Sequence, residues 1–505
     1  MTTIVEDPKM EGLRQLYRRF LREQSDFLDT DPTELVTQTE QAVATLLPDG
    51  SWNDVDYGPG ELLVWPAMTH LKRLHLMSQA WLLPKAATSG RANLMKGILA
   101  GLAAWFDRDP LNPNWWHNEI GAPALLGEIL LIVKEHCPAE LATRAVPAFE
   151  RHHPALRYTG QNLVWVSAIK VRHGLIVDNP GLVSEGFLLI TRDLRVAPLE
   201  EEGIKPDMSF HQHGVLLYSG GYGRDFDHDM ARFAWLAHDT SFAWPRHLLA
   251  LLSCFILDGS RWFVQGDIFD FGAVGRQISR AGDDAGKLIK AAAYMAEVDK
   301  ERGGEYRSLL FASARGASSV LGNRLFSCSD IMTHHTEGGY VSARVTSNRI
   351  LNADLACCGG EGRLCHHMAD GATCIMVDGG EYRDLFPVWD WKRIPGTTVE
   401  QNGNFVESTL RHFGKQPFAG GVSDGRVGCL SMDFQWHTLQ ARKAWFFLPQ
   451  GVVALGAGIH SNSRTPVHTT INQCHLRGKV WLQGETEALE PGLHPLRAGS
   501  TLWHD

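Results

Sequence analysis

The sequence contains no apolar run long enough to cross a lipid bilayer. Its longest such run, LLALLSCFIL at residues 248–257, is about half the length of the ~20 residues that a transmembrane helix needs. The N-terminal segment MTTIVEDPKMEGLRQLYRRF also lacks the apolar core of a secretory signal. We therefore expect a chain without a membrane span, which is cytoplasmic as given or exported from a precursor whose signal has been removed.

An excess of positive charge and a cysteine framework are missing as well. The formal net charge is −9, with 48 basic residues against 57 acidic ones, which gives no support for a nucleic-acid partner. An anionic ligand would need a locally basic cleft. The nine cysteines lack the spacing of a disulfide framework, so reduced thiols are the simpler interpretation. The 16 tryptophans are numerous, and Trp serves both as a core residue and as a platform for sugar rings.

The first 300 residues have the periodicity of helices. Apolar residues recur at intervals of three and four, and breakers such as DPLNPN and DNPG separate the segments. The predicted helices cover residues 13–28, 32–47, 67–83, 91–106, 121–136, 162–177, 181–196, 228–244 and 278–298. No strand pattern interrupts them, which indicates helical hairpins arranged in a ring or solenoid.

The residue pattern changes from helical to strand-like near residue 305. Short β-branched or aromatic segments separated by Gly, Asp and Asn follow, which is typical of an antiparallel β-sandwich. These segments are residues 338–350, 372–380, 427–449, 451–459 and 467–474. The sequence thus predicts a helical domain at 1–304 and a β domain at 305–505. Because the chain stops directly after a strand-like patch, GSTLWHD, we also expect the sandwich to be cut short.

Candidate chemistry is concentrated in DMSFHQHGVLLYSGGYG, residues 207–223, which presents His213 and Tyr222 beside a glycine-rich turn. Tyrosine is a poor base at neutral pH because its unperturbed pKa is about 10. Nearby cations favour the phenolate. The segment GAVGRQISR supplies Arg276 and Arg280, which share a helix face if a helix begins there.

Asn162 adds an amide donor just after a glycine at a predicted helix start. Together with the Tyr, His and Arg side chains it suits removal of a proton alpha to a carboxylate. Donors that neutralise the carboxylate stabilise the enolate-like intermediate, a base takes the proton, and an acid protonates the leaving oxygen. Taken singly, each feature has an ordinary structural interpretation: a helix cap for Asn162, a solvated helix face for the arginines and a common turn for GGYG.

Several segments resemble, in order, those of polysaccharide lyase family 8, the hyaluronate, chondroitin AC and xanthan lyases. They are DGSWNDVDY, NPNWWHNEIGAPALLGEIL, YTGQNL, DMSFHQHGVLLYSGGYG, FDFGAVGRQISR, GRLCHHMADG, DLFPVWDWKRIPGTT, GGVSDGRVG, ARKAWFFLPQGVVALGAGI and TPVHTTINQ. The resemblance covers nearly the whole chain. It implies an incomplete α/α toroid followed by antiparallel β-sheets, and β-elimination of a uronic-acid-containing glycan to give an unsaturated uronate.

The resemblance also implies roles for individual residues. The catalytic set is Asn162, His213, Tyr222, Arg276 and Glu361, and the substrate contacts are Asn114, Trp115, Trp116 and Arg280. Tyr222 is the general base and then the general acid, with Arg276 beside it to lower its pKa. His213 and Asn162 neutralise the uronate carboxylate, and His213 shares in proton transfer. Glu361 reaches in from the β domain to orient the Tyr–Arg group, and the two tryptophans form a stacking patch.

Three departures from the family pattern bear on substrate identity. Gly362 stands where the family has Asn after the glutamate, and Val274 replaces the first arginine of an Arg-Gly-Arg motif. The stretch RLCHHMADG replaces one that is usually aromatic. Family members also continue for about one or two hundred further residues, which agrees with the expected shortening of the sandwich.

Three other functions compete with the lyase. A metal enzyme is suggested by HQH, HH and CHH, although none has the spacing of a recognised zinc motif. An α/α glycoside hydrolase would use two carboxylates, for which Glu119, Asp207 and Asp270 are available. A non-catalytic glycan-binding protein is the third. For the lyase we expect no cofactor, while a structural cation, the exact uronate polymer, endo or exo cleavage and the oligomeric state are left open.

Overall fold

A computed structural model describes residues 7–26, 31–84, 91–152, 158–354, 360–402, 411–497 and 499–504. Within these ranges, none of the helices combines the length and the apolar composition that a bilayer span requires. The cysteines in these ranges, at positions 137, 254, 328, 365, 374, 429 and 474, carry free thiols.

The N-terminal part is built from α-helices. They are α1 Pro8–Asp26, α2 Pro32–Ala44, α3 Met68–Leu82, α4 Arg91–Arg108, α5 Ala122–Val133, α6 Ala139–Thr143, α7 Val146–Phe149, α8 Gly160–Ile176, α9 Pro180–Arg192, α10 Arg224–Ala237, α11 Arg246–Asp258, α12 Gly286–Val298 and α13 Gly303–Ser313. Neighbours along the chain pack together, as in α2 with α3, α8 with α9 and α12 with α13, and α1 contacts α3, α5, α9 and α10. Helix α1 therefore joins the early and late helices of one domain.

Local sequence explains where these helices begin. Asp31 accepts hydrogen bonds from the backbone N–H groups of Thr33 and Glu34, and Asn179 caps α9 in the same way, each just before a proline that suits the first helical turn. The prediction for residues 278–298 was too long at its start. Helix α12 begins at Gly286, because Gly282 adopts φ +70° and Asp284 accepts from Gly286 N at 2.9 Å, which ends the preceding turn and starts a new helix.

Small strand pairs inside the helical part were missed by the sequence analysis. Strand β1 (Gly203–Ile204) pairs with β2 (Phe210–His211), and β3 (Val264–Gln265) pairs with β4 (Ile268–Phe269). Each strand has two residues, too short for an alternating pattern to be recognised. They flank the glycine-rich and arginine-containing segments, and therefore fix the two loops that carry the candidate chemistry.

The C-terminal part consists of antiparallel strands. They are β5 Gly322–Phe326, β6 Ile331–Thr336, β7 Gly339–Arg344, β8 Ala372–Met376, β9 Thr398–Glu400, β10 Ala419–Ser423, β11 Gly428–Trp436, β12 Leu439–Leu448, β13 Gly451–His460, β14 Val467–Thr469, β15 Val480–Leu482 and β16 Leu502–His504. The boundary predicted at residue 304 lies inside α13, and the change to strands comes between α13 and β5.

Two four-stranded sheets pack face to face in this part. Their orders are β5-β6-β7-β8 and β10-β11-β12-β13, and all neighbours are antiparallel. Along β12, burial alternates strictly, which is typical of a strand with one face on a core. The shared core includes Met332 and Ala343 from the first sheet and Trp445 and Phe447 from the second. A helical domain followed by an antiparallel β-sandwich is therefore the observed architecture, as predicted.

The two domains meet along a polar and aromatic seam. Asp270, fully buried at the end of the β3–β4 pair, accepts from the Tyr340 hydroxyl of β7 at 2.6 Å. Arg344 donates to the Gly272 carbonyl at 2.8 Å, and the Phe271 ring lies 5.2 Å from that of Trp389. These contacts hold the segment that follows Asp270, which carries both candidate arginines, against the β domain.

Candidate active site

A single cleft contains every side chain that the sequence analysis assigned to the site. Its volume is about 530 Å³, and the nine residues concerned are Asn114, Trp115, Trp116, Asn162, His213, Tyr222, Arg276, Arg280 and Glu361. Trp165 and Lys287 also line it. A second lobe of about 600 Å³ shares Trp115, Asn162 and His213 with the first, so space for a ligand continues on both sides of these three residues.

Two glycines, one in each of the loops that carry the candidate chemistry, pack closely against one ring. Residues Ser219–Gly223 form a wide π-helical turn at the start of α10. A Cβ on Gly221, or on Gly275 with its φ of +57°, would lie inside van der Waals contact of the Tyr218 ring. The buried Tyr218 is thereby clamped between the two loops, and the turn presents Tyr222 to the cleft.

Tyr222 lies among aromatic rings and cations. Its ring centroid is 4.9 Å from that of His213, 5.1 Å from Tyr218 and 5.8 Å from Trp165. Burial raises the pKa of Tyr222, while Arg276 and Arg280 pull it down without reversing the direction. Arg276 therefore lowers the pKa of Tyr222, as the resemblance implied, but the loss of water around the phenol outweighs both arginines and the net shift is upward.

A carboxylate that the sequence analysis missed anchors His213. Asp354, fully buried, lies 3.2 Å from His213 Nδ1 and accepts from the Tyr218 hydroxyl at 3.0 Å and from Arg276 Nη1 at 2.9 Å. Arg276 Nη1 is also 3.1 Å from His213 Nδ1. His213 itself adopts φ +60°, an uncommon backbone conformation for a side-chain-bearing residue and one that often marks a functional site.

The arginines converge on Glu361 from a turn rather than from a helix face. Residues Gly275–Ser279 form a short 3₁₀ turn, and Arg280 follows it in an extended conformation. Arg276 Nε donates to Glu361 at 3.2 Å, and Arg280 Nε donates to the same carboxylate at 2.7 Å. No α-helix begins at these residues, so the condition for a shared helix face is not met, but the two guanidinium groups still meet through one acid from the β domain.

The two asparagine side chains of the cleft differ in their hydrogen bonding. Asn162 is the third residue of α8, and its Oδ1 is buried without a hydrogen-bond partner among the described residues. Asn114, in contrast, donates to the Leu62 carbonyl at 2.8 Å and accepts from Trp116 N at 3.1 Å. Asn162 is thus available to a ligand, whereas Asn114 also shapes the loop that presents the tryptophans. Trp115 is 41% exposed, which leaves a ring face open to the cleft.

Of the histidines that suggested a metal enzyme, His213 belongs to the cleft described above, and several of the others make separate structural contacts. His211 pairs with Ser329, and the neighbours His334 and His335 face opposite ways, towards the Leu448 and Trp262 carbonyls. His367 pairs with Asp370. In the part of the chain that the structure describes, no group of three or more His, Cys, Asp or Glu side chains is arranged to hold a metal ion.

The acids that suggested a hydrolase are not gathered in one place. Asp270 is buried at the domain seam, and Asp207 accepts from Ser209 and from Cys328 N. Glu119 lines the second lobe, where it accepts from the Tyr158 hydroxyl. The chemistry of a carboxylate pair across a sugar is therefore poorly matched by these three residues.

Comparison with known proteins identifies relatives of both domains. The profile of the polysaccharide lyase family 8 N terminal alpha-helical domain matches residues 23–308, and that of the family's super-sandwich domain matches residues 321–505. Chondroitinase-AC of Pedobacter heparinus is 31% identical over 454 residues, which are 87% of this chain and 64% of that protein. Hyaluronate lyase of Thermasporomyces composti is 27% identical, over 88% of this chain and 63% of that protein.

Solved structures agree. A chondroitinase AC lyase studied in complex with oligosaccharides has a TM-score of 0.89 and 27% identity, and the match covers 98% of this chain and 74% of that one. A Paenibacillus xanthan lyase has the same fold, with a TM-score of 0.83 at 22% identity over 96% of this chain and 51% of that one. The chain spans a little under two thirds of the length of the two lyases compared by sequence.

Proposed function

The chain belongs to polysaccharide lyase family 8, and from that premise we propose that it cleaves a uronic-acid-containing glycan of the hyaluronan, chondroitin or xanthan kind by β-elimination. The observation that carries the proposal is the convergence of Tyr222, His213, Asn162 and Arg276 on one cleft. These are the groups that proton removal beside a carboxylate requires.

Neutralising the uronate carboxylate is the first requirement. While the carboxylate is ionised, a carbanion next to it would add a second negative charge, so donors to the carboxylate lower the barrier. The Asn162 side chain lines the cleft, and its Nδ2 group is a donor of the kind that a carboxylate requires. A proton on His213 Nε2 supplies a second donor, either with Nδ1 accepting from Arg276 or, in the protonated ring, with Nδ1 donating to Asp354.

Tyr222 then moves the proton. Its phenolate takes the proton from C5 of the uronate. The electron pair left on C5 forms the C4–C5 double bond, and the bond from C4 to the glycosidic oxygen breaks. The departing oxygen takes the same proton from Tyr222, so the phenolate is regenerated and atoms and charges balance. Because burial favours the protonated phenol, only a minor fraction is active near neutral pH, and turnover should increase as the pH rises.

Binding of the remaining sugars falls to the rest of the cleft. Trp115 and Trp116 offer aromatic surface for sugar rings. Arg280, half-exposed and paired with Glu361, supplies a donor for an anionic or hydroxyl group. Glu361 in turn holds Arg276 and Arg280 together. In this mechanism the chain's own groups do all the proton transfer, and we propose that no metal or cofactor takes part.

The test is Tyr222→Phe, with Tyr17→Phe of α1 as a matched control outside the cleft. Each protein is incubated with hyaluronan, chondroitin and xanthan, and the unsaturated uronate is followed by its ultraviolet absorbance, with and without a chelator. We expect turnover of the Tyr222 variant to fall by at least about 10²- to 10⁴-fold, with binding retained. Equal turnover, products without the double bond, or complete loss with the chelator would overturn the proposal.

A further inference from the structure

We propose that Trp165 is a positioning residue that holds the Tyr222 ring in its reactive orientation and keeps water from one side of it. The inference rests on the proposed function, because it assigns Trp165 a part in the proton transfer by Tyr222. Trp165 lines the cleft and is half-buried.

The position of Trp165 in α8 brings it to the base. It lies three residues after Asn162, so both side chains project from the same face of the helix. Its ring centroid is 5.8 Å from that of Tyr222 at an interplanar angle of 50°, and 5.6 Å from that of Trp116 at 81°. Trp165 therefore connects the candidate sugar platform to the candidate base.

The surroundings of Trp165 are rigid. Trp116 and Trp165 pack on a buried apolar cluster made of Ile120, Tyr158, Leu163 and Val166. Close-packed side chains of this kind have little freedom to shift. A ring fixed in this way restricts the movement of the Tyr222 ring, whereas a side chain facing open solvent would not.

Three rings lie close to the Tyr222 ring. The ring centroids of His213 and Tyr218, both of which contact Asp354, are 4.9 and 5.1 Å away. The centroid of Trp165, which belongs to α8, is 5.8 Å away. Without Trp165 the phenol could tilt into the vacated space, and a misplacement of about 1 Å can cost on the order of 10²-fold in rate.

An ordinary core tryptophan would show a different response to mutation. Loss of packing alone lowers stability and leaves the rate constants of the folded fraction unchanged. Loss of positioning lowers kcat more than it changes KM. It also admits water to the phenol, which reduces the burial that raises the pKa of Tyr222, so the acid limb of the pH–rate profile should move to lower pH.

The experiment compares Trp165→Ala, Trp165→Leu and Trp165→Phe in the full chain, with Trp81→Ala as the control. Trp81 is half-buried on α3, contacts His136 at 5.2 Å and lines neither lobe. We measure kcat, KM and the pH profile by ultraviolet absorbance, and thermal unfolding of each variant.

For the Ala and Leu variants we expect kcat to fall about 10- to 100-fold with KM changed by less than about threefold, and the acid limb to shift down. Trp165→Phe should restore most of kcat, and Trp81→Ala should keep it. If folded Ala or Leu protein has an unchanged kcat and an unchanged pH profile, the inference about Trp165 is overturned while the proposed function stands. If the Ala variant does not fold, the Leu variant, which keeps apolar volume without the ring, decides. No product from the wild-type chain would instead overturn the proposed function.

Discussion

Replacing Asp354 by asparagine should disable the candidate site while leaving its shape intact. The Asp354 side chain is completely inaccessible to solvent and contacts His213 Nδ1, the Tyr218 hydroxyl and Arg276 Nη1 at 2.9 to 3.2 Å. Asparagine has the same outline but no charge, and it has one acceptor oxygen instead of two. The change therefore removes electrostatics and hydrogen-bonding capacity without creating a cavity.

The size of the effect follows from these contacts. A hydrogen bond to a charged group is worth about 1.5–3 kcal/mol and a neutral one about 0.5–1.5 kcal/mol, so the bonds from Arg276 and His213 together lose roughly 2–3 kcal/mol. At about 1.36 kcal/mol for each tenfold change in rate, this loss corresponds to a fall in kcat of roughly 30- to 160-fold.

The pH profile should move in a defined direction. The negative charge of Asp354 is one of the contributions that raise the pKa of Tyr222, whereas Arg276 and Arg280 lower it. With asparagine the arginines act with less opposition, and the pKa of the phenol should fall. The acid limb of the remaining activity should therefore lie at lower pH than in the wild-type chain, although the maximum rate is much smaller.

Asp370→Asn provides the control. Asp370 is buried in the same domain and accepts from His367 Nδ1 at 2.8 Å and from Asn352 at 3.0 Å, but it lines neither lobe of the cleft. Rates by ultraviolet absorbance and unfolding midpoints are measured for both variants. We expect both variants to lose a comparable amount of stability. Only the Asp354 variant should also lose turnover. Equal kcat in the two folded variants would refute the assignment of Asp354 to the site.

Two further predictions concern stability. Arg232→Met should destabilise the chain by about 3–5 kcal/mol in denaturant unfolding, because its removal leaves the buried carboxylate of Glu23 without its arginine, while Glu128 keeps Arg172; Arg14→Met, at a half-exposed pair, should cost about 0–1 kcal/mol. Asp227→Asn should stabilise the chain at neutral pH. Burial raises the pKa of Asp227, whose oxygens have no partner in hydrogen-bonding geometry among the described residues although Ser260 is near. The folded state thus keeps a proton that the unfolded state releases above about pH 4, so wild-type stability should decline with rising pH from this contribution and the variant should lack that decline.

The sequence allowed the candidate site to be assembled only where the chemistry is local. His213 and Tyr222 stand in one motif, and Asn162 follows the glycine that begins α8. Asp354 gave no such signal, because it is 141 residues from His213 along the chain and a lone aspartate after a strand is common. Trp165 could have been predicted from the sequence, because it lies three residues after Asn162 on a predicted helix and therefore shares its face.

The direction of the Tyr222 pKa could not be read from the residues. Two nearby arginines argued for a lowered pKa, and the structure does place both near the phenol. What decides the sign is the depth at which the turn of residues 219–223 is buried, and that depth arises from Tyr218, Trp165 and the domain seam together. Charge can be counted in a sequence, whereas desolvation depends on tertiary packing.

The distribution of the site between the domains explains why the β-sandwich matters for the chemistry. Asn162, His213, Tyr222 and Arg276 belong to the helical domain, but the carboxylates that contact His213 and Arg276, Asp354 and Glu361, come from the β domain. The turn that carries Arg276 is in addition held against β7 through Asp270 and Tyr340. A helical domain that lost this contact would keep its donors and its base but would lose the carboxylates that hold His213 and Arg276 in place. The site therefore depends on the domain interface as much as on the cleft itself.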